Sequence, residues 1–287
     1  MMNVVGAIFA FLTGLSVGSF LNVCIWRMPR DESVVQPPSH CPKCGHRLRA
    51  LELVPLLSFL WLGRRCRKCK APISWRYFVV ELLAGLVFLA LWLVCWPDRL
   101  WDLPFYLIFA ACLIAIFLID LEHMIIPDEL VIAGGVAATV KALGEIFGVA
   151  GAPHRGLVHL PFPGTNGFPC PEFILGAVVG AAFFILVELF SRLLFRKEGM
   201  GGGDMKLGAA IGALLGPKTA LLSFGLAVFA GAFIGVGLLL ARRKKRVDYI
   251  PFGPFMVVSA FLLMLFPTAI WRAVTTAWDW WVSTWAP

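Results

Sequence analysis

Apolar runs long enough to cross a lipid bilayer recur along most of this chain of 287 residues. About 20 residues of α-helix span the hydrocarbon core of a membrane. Runs of roughly that length lie at 3–25, 77–96, 104–120, 129–149, 173–195, 218–241 and 252–271. A shorter run, 205–216, is interpreted either as an eighth span or as a re-entrant half-span. The sequence therefore predicts an all-α polytopic membrane protein with about eight transmembrane helices.

The composition excludes a soluble domain of the same length. Hydrophobic residues make up 60% of the chain and charged residues only 15%, with a mean hydropathy of +0.84. Soluble domains carry about 25% charged residues. A chain with this composition is expected to expose most of its apolar surface to lipid and little of it to water.

The basic residues are concentrated in three polar segments. Of 25 Lys and Arg, eleven lie in 27–76, four in 192–206 and five in 242–246. Eight spans would place all three segments on one side of the membrane, and cytoplasmic loops carry such an excess. We therefore interpret the net charge of +8 as a signal of orientation and of anionic lipid binding, with no nucleic-acid partner.

The longest polar segment divides the chain into three predicted parts. These are a first span at 1–26, a cytoplasmic loop domain at 27–76, and a multi-span region at 77–287. The loop domain contains two Cys-x-x-Cys pairs, whose cysteines are Cys41, Cys44, Cys66 and Cys69. This spacing is typical of a structural zinc site that resembles a zinc ribbon, with no position left open for water. Disulfides or free thiols are the alternatives, and the reducing cytoplasm disfavours disulfides.

Two aspartates lie at the ends of apolar runs. Asp120 ends the run at 104–120, and Asp204 follows three glycines, among them Gly201 and Gly203, which let the backbone approach a partner closely. Carboxylates at a membrane boundary are costly and usually functional. Two that come together share one proton, as in aspartic proteases. Taken alone, Asp204 is equally consistent with a helix-capping residue in a flexible loop.

Neighbouring polar residues have simpler interpretations. Glu122 and His123 are read as solvated loop residues, and Asp128 as a carboxylate that favours the N-terminal dipole of the next helix.

Four segments, in this order, resemble the type IV prepilin peptidases, a family of membrane aspartic proteases with a GxGD motif. They are 18–29, 41–69, 120–128 and 201–204. The resemblance implies that Asp120 and Asp204 form the catalytic pair and that 41–69 belongs to a zinc-binding loop associated with methyl transfer.

The resemblance also implies substrates and a location. The substrates would be type IV prepilins or the pseudopilins of type II secretion, cut after a glycine that ends a short basic leader. The enzyme would lie in the bacterial inner membrane, with its active site at the cytoplasmic face. It would also methylate the new N-terminal amine with S-adenosylmethionine, through residues that the sequence does not identify. The sequence does not indicate an oligomeric state.

Two other functions fit part of the sequence. A proton-coupled secondary transporter could use Asp120, Glu188 and Asp204 as a relay, although transporters place such carboxylates midway across the bilayer. A zinc-ribbon scaffold would need neither aspartate.

Overall fold

Long helices account for most of the computed structural model, which describes residues 2–149, 157–160, 168–195, 201–241 and 251–285. The helices are α1 (Met2–Arg27), α2 (Leu57–Trp61), α3 (Trp75–Cys95), α4 (Leu103–His123), α5 (Asp128–Ile146), α6 (Glu172–Phe195), α7 (Gly202–Leu215), α8 (Pro217–Leu240), α9 (Gly253–Leu265) and α10 (Pro267–Trp285). Two short antiparallel strands, β1 (Leu157–Leu160) and β2 (Phe168–Pro171), pair between α5 and α6. The basic segment 242–246 lies outside the described residues.

The helices confirm an all-α polytopic membrane protein, but they do not confirm eight spans. Within the described residues, α1, α3, α4, α6 and α8 are long and apolar enough to cross a bilayer. The pair α9 and α10 would add a sixth span only if the two are counted together. The helix α7 has 14 residues, and α5 carries four charged side chains, Asp128, Glu129, Lys141 and Glu145.

The run at 252–271 is not one continuous helix. The helix α9 ends at Leu265, and α10 begins at Pro267 after a bend of 101°. Proline has no backbone N–H and clashes with the preceding helical turn, so it favours a new helix start at this position. The chain therefore turns sharply where the apolar pattern alone predicted a single span.

The core of the bundle surrounds α4. This helix buries eleven of its residues and packs against α1, α3, α5 and α9. A helix that is apolar on all sides is stable only when other helices or lipid cover it. Because α4 is central, the residues at its end are held by several neighbouring helices.

The helices α6 and α7 approach each other unusually closely. Gly176 and Gly180 on α6 face Gly212 and Gly208 on α7, and a Cβ on any of these four glycines would overlap atoms of the facing helix. Small residues four positions apart allow helix backbones to pack directly in a membrane. This contact fixes the short helix α7, which carries Asp204 in its first turn.

The segment between α1 and α3 forms a small unit anchored to α3. Phe59 of α2 is buried, and its ring lies 5.2 Å from that of Trp75 and 5.3 Å from that of Phe78. The buried carboxylate of Glu81 on α3 accepts a hydrogen bond of 2.8 Å from the backbone N–H of Leu56. Aromatic packing and a satisfied buried acceptor both hold the loop at the start of α3.

Candidate aspartate pair and cysteine cluster

The fold brings Asp120 and Asp204 together at one end of the bundle. Asp120 lies in the last turn of α4 and is 5% exposed. Asp204 lies in the first turn of α7 and is half-buried. The two carboxylates are close enough to interact electrostatically. The arrangement therefore has the two acidic groups that a shared-proton pair requires.

Local backbone geometry sets the direction of each aspartate. The helix α4 ends when Met124 adopts a left-handed conformation, with its N–H donating to the carbonyl of Asp120 at 2.9 Å. At α7, the N–H of Asp204 donates to the carbonyl of Gly201 at 3.2 Å. A Cβ at Gly203 would lie 2.9 Å from Cβ of Ile126. The absence of a side chain at Gly203 therefore allows the segment between α4 and α5 to pack against the start of α7. Gly201 has no such close neighbour, and a Cβ there would make only an ordinary contact with the carboxylate of Asp204.

Two ion pairs at this end of the bundle were missed by the sequence interpretation. Lys206 donates to both carboxylate oxygens of Asp128, at 2.8 and 2.7 Å, and joins the start of α7 to the start of α5. Arg76 donates to both oxygens of Glu122, at 3.0 and 2.7 Å, and joins α3 to α4. Each pair joins residues that are far apart in the sequence, so sequence motifs and residue spacing could not predict it.

The start of the loop domain lies at the same end of the bundle as Asp120. The guanidinium of Arg76 lies 5.9 Å from the ring of Trp26, and that of Arg30 lies 3.9 Å from the same ring. Arg76 also pairs with Glu122, two residues after Asp120. Contacts of this kind between helix ends place α1, α3 and α4 side by side.

The four cysteines of the loop converge on one point. The sulfur atoms of Cys41, Cys44, Cys66 and Cys69 all lie within 4.8 Å of one another, and no disulfide joins them. The distance from Sγ of Cys41 to Sγ of Cys69 is 3.8 Å, and from Cys44 to Cys66 it is 3.9 Å. A tetrahedral zinc ion with Zn–S bonds of about 2.3 Å separates its sulfurs by about 3.8 Å. The cluster fits such an ion.

The two Cys-x-x-Cys turns have the same backbone structure. Cys41 accepts from the N–H of Gly45 at 2.9 Å, and Cys66 accepts from the N–H of Lys70 at 2.9 Å. Gly45 and Lys70 both adopt left-handed conformations, with φ of 66° and 58°. Glycine takes this conformation without strain, whereas lysine does so at a cost. The second turn therefore holds a strained residue next to a candidate metal ligand.

The electrostatics of the cluster favour a bound cation. The backbone N–H of Cys69 is the main group that lowers the pKa of Cys66 to about 6. The backbone N–H of His46 lowers the pKa of Cys44, but burial and the three neighbouring thiols outweigh it and raise that pKa to about 11. Four adjacent thiolates repel one another, so a metal ion is needed for all four to ionise together.

A buried glutamate supports the first turn. Glu52 accepts a hydrogen bond of 2.8 Å from the backbone N–H of Arg49, and His46 lies 3.4 Å away. The N–H of Arg49 lowers the pKa of this carboxyl group. The other oxygen of Glu52 is buried and has no hydrogen-bond partner in the described part of the chain.

Comparison with known proteins identifies the family. The model of the bacterial peptidase A24 N-terminal domain matches residues 12–95, and the model of the type IV leader peptidase family matches residues 107–236. The chain belongs to the type IV leader peptidase family. In this leader peptidase, the first match contains all four cysteines and the second contains both aspartates.

Curated relatives cover nearly the whole leader peptidase chain. Prepilin leader peptidase/N-methyltransferase of Aeromonas hydrophila is 37% identical over 91% of both chains. The proteins of the same name from Neisseria gonorrhoeae and Pseudomonas aeruginosa are 32% and 34% identical, over 96% and 91% of this chain and 94% and 90% of theirs. No solved structure matches the chain.

Family membership does not favour the transporter alternative. Glu188, the third carboxylate of that hypothesis, is buried in α6 and forms an ion pair with Arg192 one turn away on the same helix. Ionisable residues inside membrane helices usually pair with one another, and Arg192 is such a partner for Glu188.

Proposed function

We propose that this chain is a membrane-embedded aspartic endopeptidase that also methylates its product. It would remove the basic leader of type IV prepilins or pseudopilins after a glycine, and then transfer a methyl group to the new N-terminal amine. The convergence of Asp120 and Asp204 at one end of the bundle carries the proposal. The names and coverage of the relatives support both activities.

The aspartate pair supplies an acid and a base for hydrolysis. With one proton shared between Asp120 and Asp204, the ionised carboxylate removes a proton from water while the protonated carboxyl donates to the oxygen of the scissile carbonyl. The water oxygen attacks the carbonyl carbon and gives a tetrahedral diol. Its collapse breaks the C–N bond: the group that took the proton from water gives it to the leaving amine, and the other carboxylate takes a proton from a diol hydroxyl, which restores the shared-proton pair.

The position of the pair suits a substrate with one apolar and one basic part. Asp120 is buried where α4 ends, and Asp204 is half-buried where α7 begins. The apolar helix of a prepilin can lie among the spans while its basic leader stays in water. The scissile bond then lies at the boundary, which we assign to the cytoplasmic face of the bacterial inner membrane because the basic loop domain lies at the same end.

We further propose that the cysteine cluster holds a structural zinc ion. Cys41, Cys44, Cys66 and Cys69 would supply all four ligands, so the ion would stabilise the loop without binding water. Residues 27–76 would then form a cytoplasmic domain associated with methyl transfer, between a first span at 1–26 and a peptidase region at 77–287. S-adenosylmethionine would supply an electrophilic methyl group, and no residue is assigned to its binding.

Incubation with a prepilin tests both activities at once. Purified protein in detergent is expected to shorten the precursor by its leader, and the product should gain one methyl group only when S-adenosylmethionine is present. Mass spectrometry of the product N-terminus measures both changes. A precursor whose glycine before the cut is replaced by valine is the control and should stay intact. Failure to cut the natural precursor would contradict the proposed peptidase.

A further inference from the structure

The N-terminus of α9 closes one side of the Asp120 carboxyl group. A Cβ on Gly253 would lie 2.5 Å from Oδ2 of Asp120, 3.1 Å from its Cγ and 3.5 Å from its Cβ. The three atoms nearest to that position therefore all belong to one side chain. Gly253 has no side chain, and the space that a side chain would fill is occupied by the carboxyl group.

The carboxyl group has one oxygen that the rest of the described structure leaves unsatisfied. Oδ2 of Asp120 is buried and makes no hydrogen bond of good geometry within the described residues. The backbone N–H of Gly253 nevertheless interacts with this carboxyl group. Free N–H groups in the first turn of a helix attract carboxylates, and a buried polar atom without a partner calls for an explanation.

The residues on either side of Gly253 supply no hydrogen-bond donor to the Asp120 carboxyl group. Pro254 has no backbone N–H, and Phe252, which precedes the helix, makes no side-chain capping bond. Gly253 thus supplies the N–H that faces the aspartate.

Aromatic packing holds this helix start in place. The ring of Phe252 lies 6.0 Å from that of Phe184 and 6.3 Å from that of Phe255. Phe184 is fully buried on α6 and would meet a Cβ on Gly208 of α7. The start of α9 is therefore positioned relative to α7 as well as to α4, the two helices that carry the aspartates.

We propose that Gly253 is a positioning residue of the peptidase site, and the proposal rests on the proposed function. Its N–H and its lack of a side chain fix the orientation in which the Asp120 carboxyl faces Asp204. A glycine needed only for helix packing would contact backbone or apolar atoms of α4, whereas Gly253 contacts the carboxyl group itself.

Gly253→Ala tests this role through kinetics. The added methyl group would overlap Oδ2 of Asp120 and push the carboxyl group away from its present position. Misplacement of a catalytic group by about 1 Å costs on the order of 100-fold in rate. We expect kcat for prepilin cleavage to fall by about that factor with KM unchanged, and methylation of a precut pilin to stay at the wild-type rate. Gly225→Ala is the matched control, because a Cβ there meets no atom within 4 Å. A wild-type kcat in Gly253→Ala, or loss of methylation together with cleavage, would overturn the proposal.

A double-mutant cycle on the unfolding temperature tests the same contact without an enzyme assay. Gly253→Ala should lower the unfolding temperature in detergent, and it should have no such effect in the Asp120→Ala background, where the crowded oxygen is gone. Equal destabilisation in both backgrounds would overturn the contact. If neither wild type nor Gly225→Ala cleaves a prepilin, the proposed function fails, while the cycle still decides whether Gly253 positions Asp120.

Discussion

Asparagine at position 120 or at position 204 is expected to lower the rate of prepilin cleavage by about 100-fold or more, because acid–base catalysis contributes about 10²–10⁴ to such reactions. Each substitution keeps the shape of the side chain and removes one of the two groups that share the proton. Asparagine can neither take a proton from water nor give one to the leaving amine at neutral pH. The initial rate of leader removal, measured on purified protein with saturating substrate, checks this result.

Asp128→Asn is the matched control for both variants. Asp128 lies at the same end of the bundle, is paired with Lys206 and is exposed. The same chemical change there should cost no more than an exposed ion pair, about 0.2–1 kcal/mol of stability, and should leave cleavage close to wild type. Normal cleavage by purified Asp120→Asn or Asp204→Asn would rule out the catalytic pair.

Methylation separates loss of the pair from loss of the fold. If the two activities occupy different sites, Asp120→Asn and Asp204→Asn should methylate a precut pilin at the wild-type rate. Loss of methylation in both variants, with unfolding temperatures unchanged, would instead indicate one shared site.

The features that the sequence predicted correctly are those with a local signal. Apolar runs of the right length indicated membrane helices, and the Cys-x-x-Cys spacing indicated a cluster that the structure brings within 4.8 Å. The catalytic role of Asp120 and Asp204 stays a prediction, and it arose because each aspartate lies at the end of an apolar run. A carboxylate in such a place costs free energy in any fold, so its presence is informative before the fold is known.

The features that the sequence did not predict depend on contacts between distant segments. Hydropathy alone could not show that the chain would bend at Pro267 within the run at 252–271, although the shorter run at 205–216 did indicate a short α7. Gly253 lies 133 positions after Asp120 (253 − 120), and a glycine followed by a proline is read in a sequence only as a turn or loop signal. Only the packed helices show that its missing side chain makes room for a carboxyl group.

The ion pair between Arg76 and Glu122, which the sequence did not predict, joins the end of the loop domain to the helix that carries Asp120. Arg76 opens the third helix beside the loop domain and pairs with Glu122, which lies two residues after Asp120. A single nitrogen of Arg76 donates to both carboxylate oxygens, and this charge-assisted pair links the start of α3 to the end of α4. A substrate cut at the aspartates would therefore have its new amine released at the end of the bundle where the loop domain begins.

Loss of bound metal is the expected result of changing Cys41 and Cys44 together to serine. The double variant removes two of the four sulfur ligands, and serine hydroxyls do not replace thiolates on zinc. Structural zinc contributes about 10–16 kcal/mol in small domains, more than a loop anchored by Phe59 and Glu81 alone can replace. We expect one zinc per wild-type chain and none in the variant, with new protease cleavage inside 27–76.

Cys170→Ser is the control for the cysteine cluster, because Cys170 lies on β2 and outside the four-sulfur group. It should keep one zinc per chain and resist protease as the wild type does. Elemental analysis and limited proteolysis of the detergent-purified proteins measure the two quantities independently. Unchanged zinc in the Cys41→Ser/Cys44→Ser protein would show that the metal is held elsewhere. Lost zinc with a protease-resistant loop would show that aromatic packing against α3, and not the metal, determines the fold of 27–76.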